Sequence, residues 1–99
     1  MRELFRLKVS DIARISGEPL PKSDLVVTRA STLQNIYEHS ILFVKRLTED
    51  NIAALRLANN CLILVPEDGP TTLVDAIRSR NVVAPVPNPR LSYAKVMTA

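Results

Sequence analysis

The chain has 99 residues, of which 46% are hydrophobic and 23% charged, and its net charge is +3. One domain with one modest core fits that length, and apolar residues gathered into runs exclude a disordered segment. The small, dispersed basic excess and the 4% aromatic content argue against a nucleic-acid-binding surface, and no apolar run approaches the roughly 20 residues that cross a bilayer.

The start of the chain carries Arg2, Glu3, Arg6 and Lys8. It lacks the unbroken apolar stretch of a signal peptide, which predicts a cytoplasmic protein. The single cysteine, Cys61, excludes an internal disulfide and a thiolate metal cluster and reads as a buried structural thiol.

Phe5, Leu7 and Val9 alternate with Arg6 and Lys8, the period of a strand. Ser10 then caps a short helix that presents Ile12 and Ile15 inward and closes at Gly17, because glycine takes the left-handed conformation without strain. Residues 18–23 hold two prolines and form a loop. A second strand follows at Leu25, Val26, Val27 and Thr28. Residues 31–40 are a polar connection.

Ile41, Leu42, Phe43 and Val44 are apolar at every position, the mark of a strand buried on both faces and so central in its sheet. Thr48 is a helix N-cap, with Glu49 and Asp50 favourably placed in the first turn. Ile52, Leu55 and Ala58 mark the inner face, and Asn59 and Asn60 are left-handed stops. Residues 61–65 form the next buried strand, ended by Pro66.

Pro70 and Thr72 open a helix with Leu73, Ala76 and Ile77 facing inward, and Arg78 and Arg80 sit near its negative end. Residues 82–86 form a strand that Pro85 assigns to a sheet edge. Asn88 followed by Pro89 starts a final helix. Leu91, Ala94 and Met97 make a stripe along it, and the helix runs to Ala99, which predicts a piece of a longer protein.

Helices alternating with buried strands give an α/β fold: one domain over residues 1–99, with a mixed sheet of about five strands and helices packed on it.

No self-contained catalytic site emerges. Two glycines, Gly17 and Gly69, cannot build a glycine-rich phosphate loop. The single histidine, His39, has no converging metal ligands and no nucleophile-elbow serine to work with, and it reads as a surface turn residue. Glu67 and Asp68 beside Gly69 and Pro70 are turn chemistry. No catalytic residue, cofactor or metal is therefore expected.

A binding module remains. Ligands of open α/β sheets sit beyond the carboxyl ends of the strands, which singles out residues 43–48 and the turns after Val65 and Val86. Phe43 either packs in the core or stacks on a flat base. Arg46 is either a solvated loop charge or a fork for a phosphate.

Three stretches carry a resemblance over nearly the whole chain. They are Leu7-Lys8-Val9-Ser10-Asp11-Ile12-Ala13 with Gly17; Arg29-Ala30-Ser31-Thr32-Leu33 followed by Ile41-Leu42-Phe43-Val44; and Asn88-Pro89-Arg90-Leu91-Ser92-Tyr93-Ala94-Lys95-Val96-Met97. In this order they resemble the non-repeat N-terminal domain of the UDP-3-O-(3-hydroxyacyl)glucosamine N-acyltransferases of lipid A biosynthesis. That domain is itself similar to the N-terminal domain of Mur ligases.

The resemblance implies an accessory domain that holds the uridine of UDP-acylglucosamine. In the family, a left-handed β-helix of hexapeptide repeats carries the catalytic histidine, the acyl-carrier-protein site and most contacts of the homotrimer. That repeat is absent from this sequence, and His39 does not correspond to the catalytic base.

The resemblance also implies a substrate-binding set of Phe43, Arg46 and Glu49. The family's motif after the third strand is F-x-x-N-P-x-Y, with its aromatics on either side of the uracil. Here Arg46 stands for the asparagine, Leu47 for the proline and Glu49 for the tyrosine. Arginine has no acceptor with which to copy an amide's paired hydrogen bonds. A second expectation therefore stands beside the first: a structural or interaction domain that has lost uridine binding and supports the trimeric acyltransferase.

Overall fold

The structure, a computed structural model, describes residues 5–98. The charges at Arg2 and Glu3 and the expected helix end at Ala99 lie outside the described residues.

Among the described residues six strands and four helices alternate: β1 (Leu7–Lys8), α1 (Val9–Ser16), β2 (Val26–Val27), β3 (Arg29–Ala30), β4 (Ser40–Phe43), α2 (Glu49–Leu55), β5 (Leu62–Pro66), α3 (Thr71–Arg78), β6 (Val82–Val86) and α4 (Pro89–Met97). The fold is α/β, as the alternation requires. Strands β3, β4, β5 and β6 form a parallel sheet in that order, and β1 pairs antiparallel with β2.

Thr28 alone separates β2 from β3. Its N–H donates to the His39 carbonyl at 2.8 Å and its carbonyl accepts from the Phe5 N–H at 3.2 Å. The antiparallel pair thus joins the parallel sheet through one residue, and segment 26–30 serves both. β4 is an inner strand and β6 an edge strand. Pro85 in β6 consequently has no neighbour on its outer side that needs an N–H.

The apolar runs of β4, β5 and β6 conceal a period of two, because successive side chains leave a strand on opposite faces. Leu42, Val44, Ile63, Val65 and Val83 join Ile52 and Leu55 of α2 and Val74 and Ile77 of α3 in one cluster. Ile41, Leu62, Leu64, Ala84 and Val86 join Ile12 of α1 and Val96 of α4 in another. Two helices cover each face of the sheet, so the inner strands are apolar on both faces, with Ser40 at the start of β4 as a hydrogen-bonded exception. The register stacks Ile41, Leu62 and Val82 across three strands, then Leu42, Ile63 and Val83. Each fully buried Leu, Ile or Val side chain contributes about 1.5–3 kcal/mol.

Helix ends follow local chemistry with two departures, one of which is that α2 stops at Leu55, ahead of the stops expected at Asn59 and Asn60. Thr48 Oγ1 accepts from Asn51 N–H at 3.2 Å, and Asn88 Oδ1 accepts from Leu91 N–H at 3.1 Å ahead of Pro89. Gly17 ends α1 at φ 74°. The N-cap of α1 is Lys8, two residues before the expected Ser10, where Asp11 Oδ2 accepts from the Lys8 N–H at 3.1 Å. Asn60 takes φ 56° and His39 φ 57°, and His39 is an exposed turn residue.

Other expectations are corrected. Ala58 is buried, but in the turn after α2. Ala76 is exposed, and Val74 takes its expected place in the core. On α4 the buried residues are Pro89, Ser92 and Val96, whereas Leu91 is 50% exposed and Met97 36%. Residues three apart fall short of a full 3.6-residue turn, so a stripe of three drifts by roughly 120° around the helix. The Leu91, Ala94 and Met97 stripe therefore leaves the packed face.

Candidate functional site

An open cavity of about 690 Å³ lies beyond the carboxyl ends of β3 and β4. Three parts of the chain line it: residues 31–34 after β3, the end of β4 with the following loop, and Tyr93 of α4.

A buried hydroxyl chain holds the first part. Ser31 Oγ donates to Ser40 Oγ at 2.7 Å and accepts from the Tyr37 N–H at 2.9 Å. Ser40 Oγ, whose residue is fully buried, donates to the Tyr37 carbonyl at 2.6 Å. Each hydroxyl has one proton, and both are used. Cys61 Sγ adds a weak donor to the same carbonyl at 3.2 Å. The thiol is buried, as expected of a structural cysteine. These bonds close residues 31–40 into a fixed turn and set Thr32, Leu33 and Gln34 along one wall. The guanidinium of Arg29 lies 3.6 Å from the centroid of the Tyr37 ring, a cation–π contact that secures the outer side of the loop.

Asn51 organises the second part. Its side-chain N–H donates to the Arg46 carbonyl at 2.7 Å, and its backbone N–H donates to Thr48 Oγ1. The backbone from 46 to 51 is thereby pinned, with Lys45 and Arg46 at the cavity and exposed to solvent. Leu47 turns inward and is buried. Gly69 packs against it so closely that a Cβ there would meet Leu47 Cδ1 at 2.5 Å.

Phe43 ends β4, half-buried, and its ring lines the cavity. It is neither sealed in the core nor free of it, since one side packs with the α1–α4 cluster. The Tyr93 ring lies beside it, with centroids 4.9 Å apart and planes tilted by 51°. Burial pushes the Tyr93 phenol up from its ordinary pKa.

Of the three expected site residues, Phe43 and Arg46 meet at this cavity. Glu49 does not line it: it is exposed in the first turn of α2, beyond the rim. Lys45 lies in the segment 43–48 that the sequence singled out, whereas sequence reasoning missed Gln34, Asn51 and Tyr93. Tyr93 lay in a quoted motif, but only packing of α4 on β4 brings it to Phe43.

Chemically the cavity offers an aromatic surface, the amides of Gln34 and Asn51, and two cations. No Asp or Glu among the described residues lines it. Among the described residues no cluster of three or more His, Cys, Asp or Glu side chains converges as a metal site, and no helix is long and apolar enough to cross a membrane. A smaller hollow of about 430 Å³ lies between the ends of α2 and α3, near Arg56 and Arg80.

No protein-family model matches the chain, and no curated protein sequence matches it.

Proposed function

We propose that this chain is a nucleotide-sugar-binding accessory domain of an N-acyltransferase that works on UDP-acylglucosamine in lipid A biosynthesis in the cytoplasm, and that it performs no catalysis itself. One observation carries the reading: the Phe43 ring faces an open cavity beside Lys45 and Arg46 at the carboxyl end of an inner parallel strand. Strand ends of this kind are where α/β sheets hold ligands. A cavity of about 690 Å³ is within the usual range for small-molecule sites, roughly 300–1,000 Å³. An aromatic ring supplies a stacking face for a base, and the cations Lys45 and Arg46 suit a diphosphate. The resemblance in sequence supports the choice of uridine. On this reading the acyl carrier protein and the trimer contacts belong to the repeat domain.

The test is a titration of the labelled domain with UDP, followed by amide shifts. Shifts centred on Phe43, Lys45 and Arg46 are expected, with an affinity that Phe43→Ala and Arg46→Ala each lower and Glu49→Ala leaves unchanged. No shift at millimolar UDP overturns the proposal.

A second reading rests on the exposed Leu91, Ala94 and Met97 face of α4. As a structural domain that has lost uridine binding, the chain would use that face to dock on a neighbouring domain and support the trimer. Leu91→Asp with Met97→Asp, placed in a protein that carries the repeat domain, would then weaken assembly without touching the cavity. Unchanged assembly by sedimentation overturns this reading.

A further inference from the structure

The aromatic side of the cavity is built by two rings. Phe43 arrives on β4 and Tyr93 on α4, and both line the same space. At 4.9 Å between centroids no planar group fits between them, because ring-to-ring contact alone takes about 3.5–4.0 Å on each side of an inserted ring. Their tilt of 51° makes them the two walls of a corner. A flat ring that stacks on one wall meets the edge of the other, which is the tilted geometry aromatic groups favour.

The pair is also held in place. Phe43 is fixed by its strand, and Tyr93 packs into the cluster between the sheet and α1 and α4. A wall already ordered before binding loses little freedom when the ligand arrives. The two cations, Lys45 and Arg46, follow Phe43 after Val44, at the start of the pinned loop. A ligand that fills this corner therefore needs a planar ring at one end and negative charge at the other.

We propose that Tyr93 is a ligand-binding residue: together with Phe43 it forms an aromatic corner that takes the planar base of a nucleoside diphosphate, whose phosphates reach Lys45 and Arg46. This rests on the nucleotide reading of the cavity given above and adds to it the residue that supplies the second aromatic contact. The phenol of Tyr93, protonated at neutral pH as any tyrosine is, adds a hydrogen-bond donor to the ring.

Three measurements on the chain test it, with UDP, uridine and inorganic pyrophosphate as probes. In the unaltered protein the Tyr93 ring protons, assigned by their loss in Tyr93→Phe, shift with UDP and with uridine and stay in place with pyrophosphate. Tyr93→Leu, which keeps apolar packing but removes the ring face, raises the Kd for UDP about tenfold. Tyr93→Phe keeps the ring and stays within about threefold of the starting Kd.

The two ways of failing are distinct. UDP binding with shifts at Phe43 and Arg46, but a Tyr93→Leu affinity equal to that of the unaltered protein, overturns the role of Tyr93 and leaves the nucleotide reading standing. No binding of UDP by the unaltered protein overturns both. The far-ultraviolet spectrum and Tm of each variant are recorded alongside. If Tyr93→Leu fails to fold, the Tyr93 ring shifts decide the question: their absence at saturating UDP overturns the proposal.

Discussion

Ser31 and Ser40 share a 2.7 Å hydrogen bond between their hydroxyls, and both residues are buried. Through the Tyr37 backbone this pair closes the loop that forms one wall of the cavity. Two small polar residues therefore do work that no apolar residue of the same size can replace.

Ser40→Ala removes the donor to the Tyr37 carbonyl and the acceptor for Ser31 at once. Buried groups left without partners cost about 1–3 kcal/mol. For a domain of this size each kcal/mol lowers Tm by about 4–8 °C. Calorimetry of the two proteins checks the fall, and an unchanged Tm would refute the role of the pair.

Asn81 ties the end of α3 to the connection between α2 and β5. Its Oδ1 accepts from the Cys61 N–H at 3.0 Å, and its side-chain N–H groups donate to the Ala58 and Ile77 carbonyls, both at 3.1 Å. Asn81→Asp keeps the acceptor but loses both donors and sets a carboxylate against two carbonyl oxygens. It should destabilise by more than Asn81→Ala, itself about 1–3 kcal/mol. Urea denaturation midpoints give the order, and the reverse order contradicts this account.

Burial separates two aliphatic residues of similar size. Ile63 is fully buried in the central strand and Leu57 is 79% exposed. Ile63→Ala is expected to cost about 2–5 kcal/mol, whereas Leu57→Lys should stay within about 0.5 kcal/mol of the unaltered protein. Comparable losses for the two would place the core elsewhere.

Tyr93 predicts an alkaline limit to stability. Burial raises its pKa in the folded chain, so the folded state holds the phenolic proton more tightly than the unfolded chain, where it titrates at about 10. The stabilising contribution is complete below that value and disappears as pH rises through the folded pKa. Stability should therefore fall above pH about 10, and Tyr93→Phe should flatten that limb. Unfolding midpoints taken across the alkaline range check it; an identical decline in Tyr93→Phe would assign the effect to other groups.

How much was legible in the sequence can be judged residue by residue. Thr48, Asn88 and Gly17 announced their helix ends, because caps are local: a side chain or a glycine satisfies backbone groups a few residues away. Pro85 announced an edge strand for a similar reason. β3 was not legible, since Arg29 and Ala30 carry no strand pattern and pair only because β4 runs beside them. Within the cavity, Phe43 and Arg46 were found because they are neighbours in sequence at a strand end. Glu49 was expected there by its place in a motif, and the turn into α2 carries it past the rim.

The sequence by itself determined that strands buried on both faces alternate with helices, because uninterrupted apolar runs between capped amphipathic segments have few other ways to leave water. Only the tertiary structure decided which groups from distant parts of the chain meet: Tyr93 with Phe43, Asn81 with Cys61, Ser31 with Ser40. Those meetings depend on the rotation of α4 about its axis and on the register of parallel strands. Both are fixed by the fit of whole faces against the sheet, which no local pattern encodes.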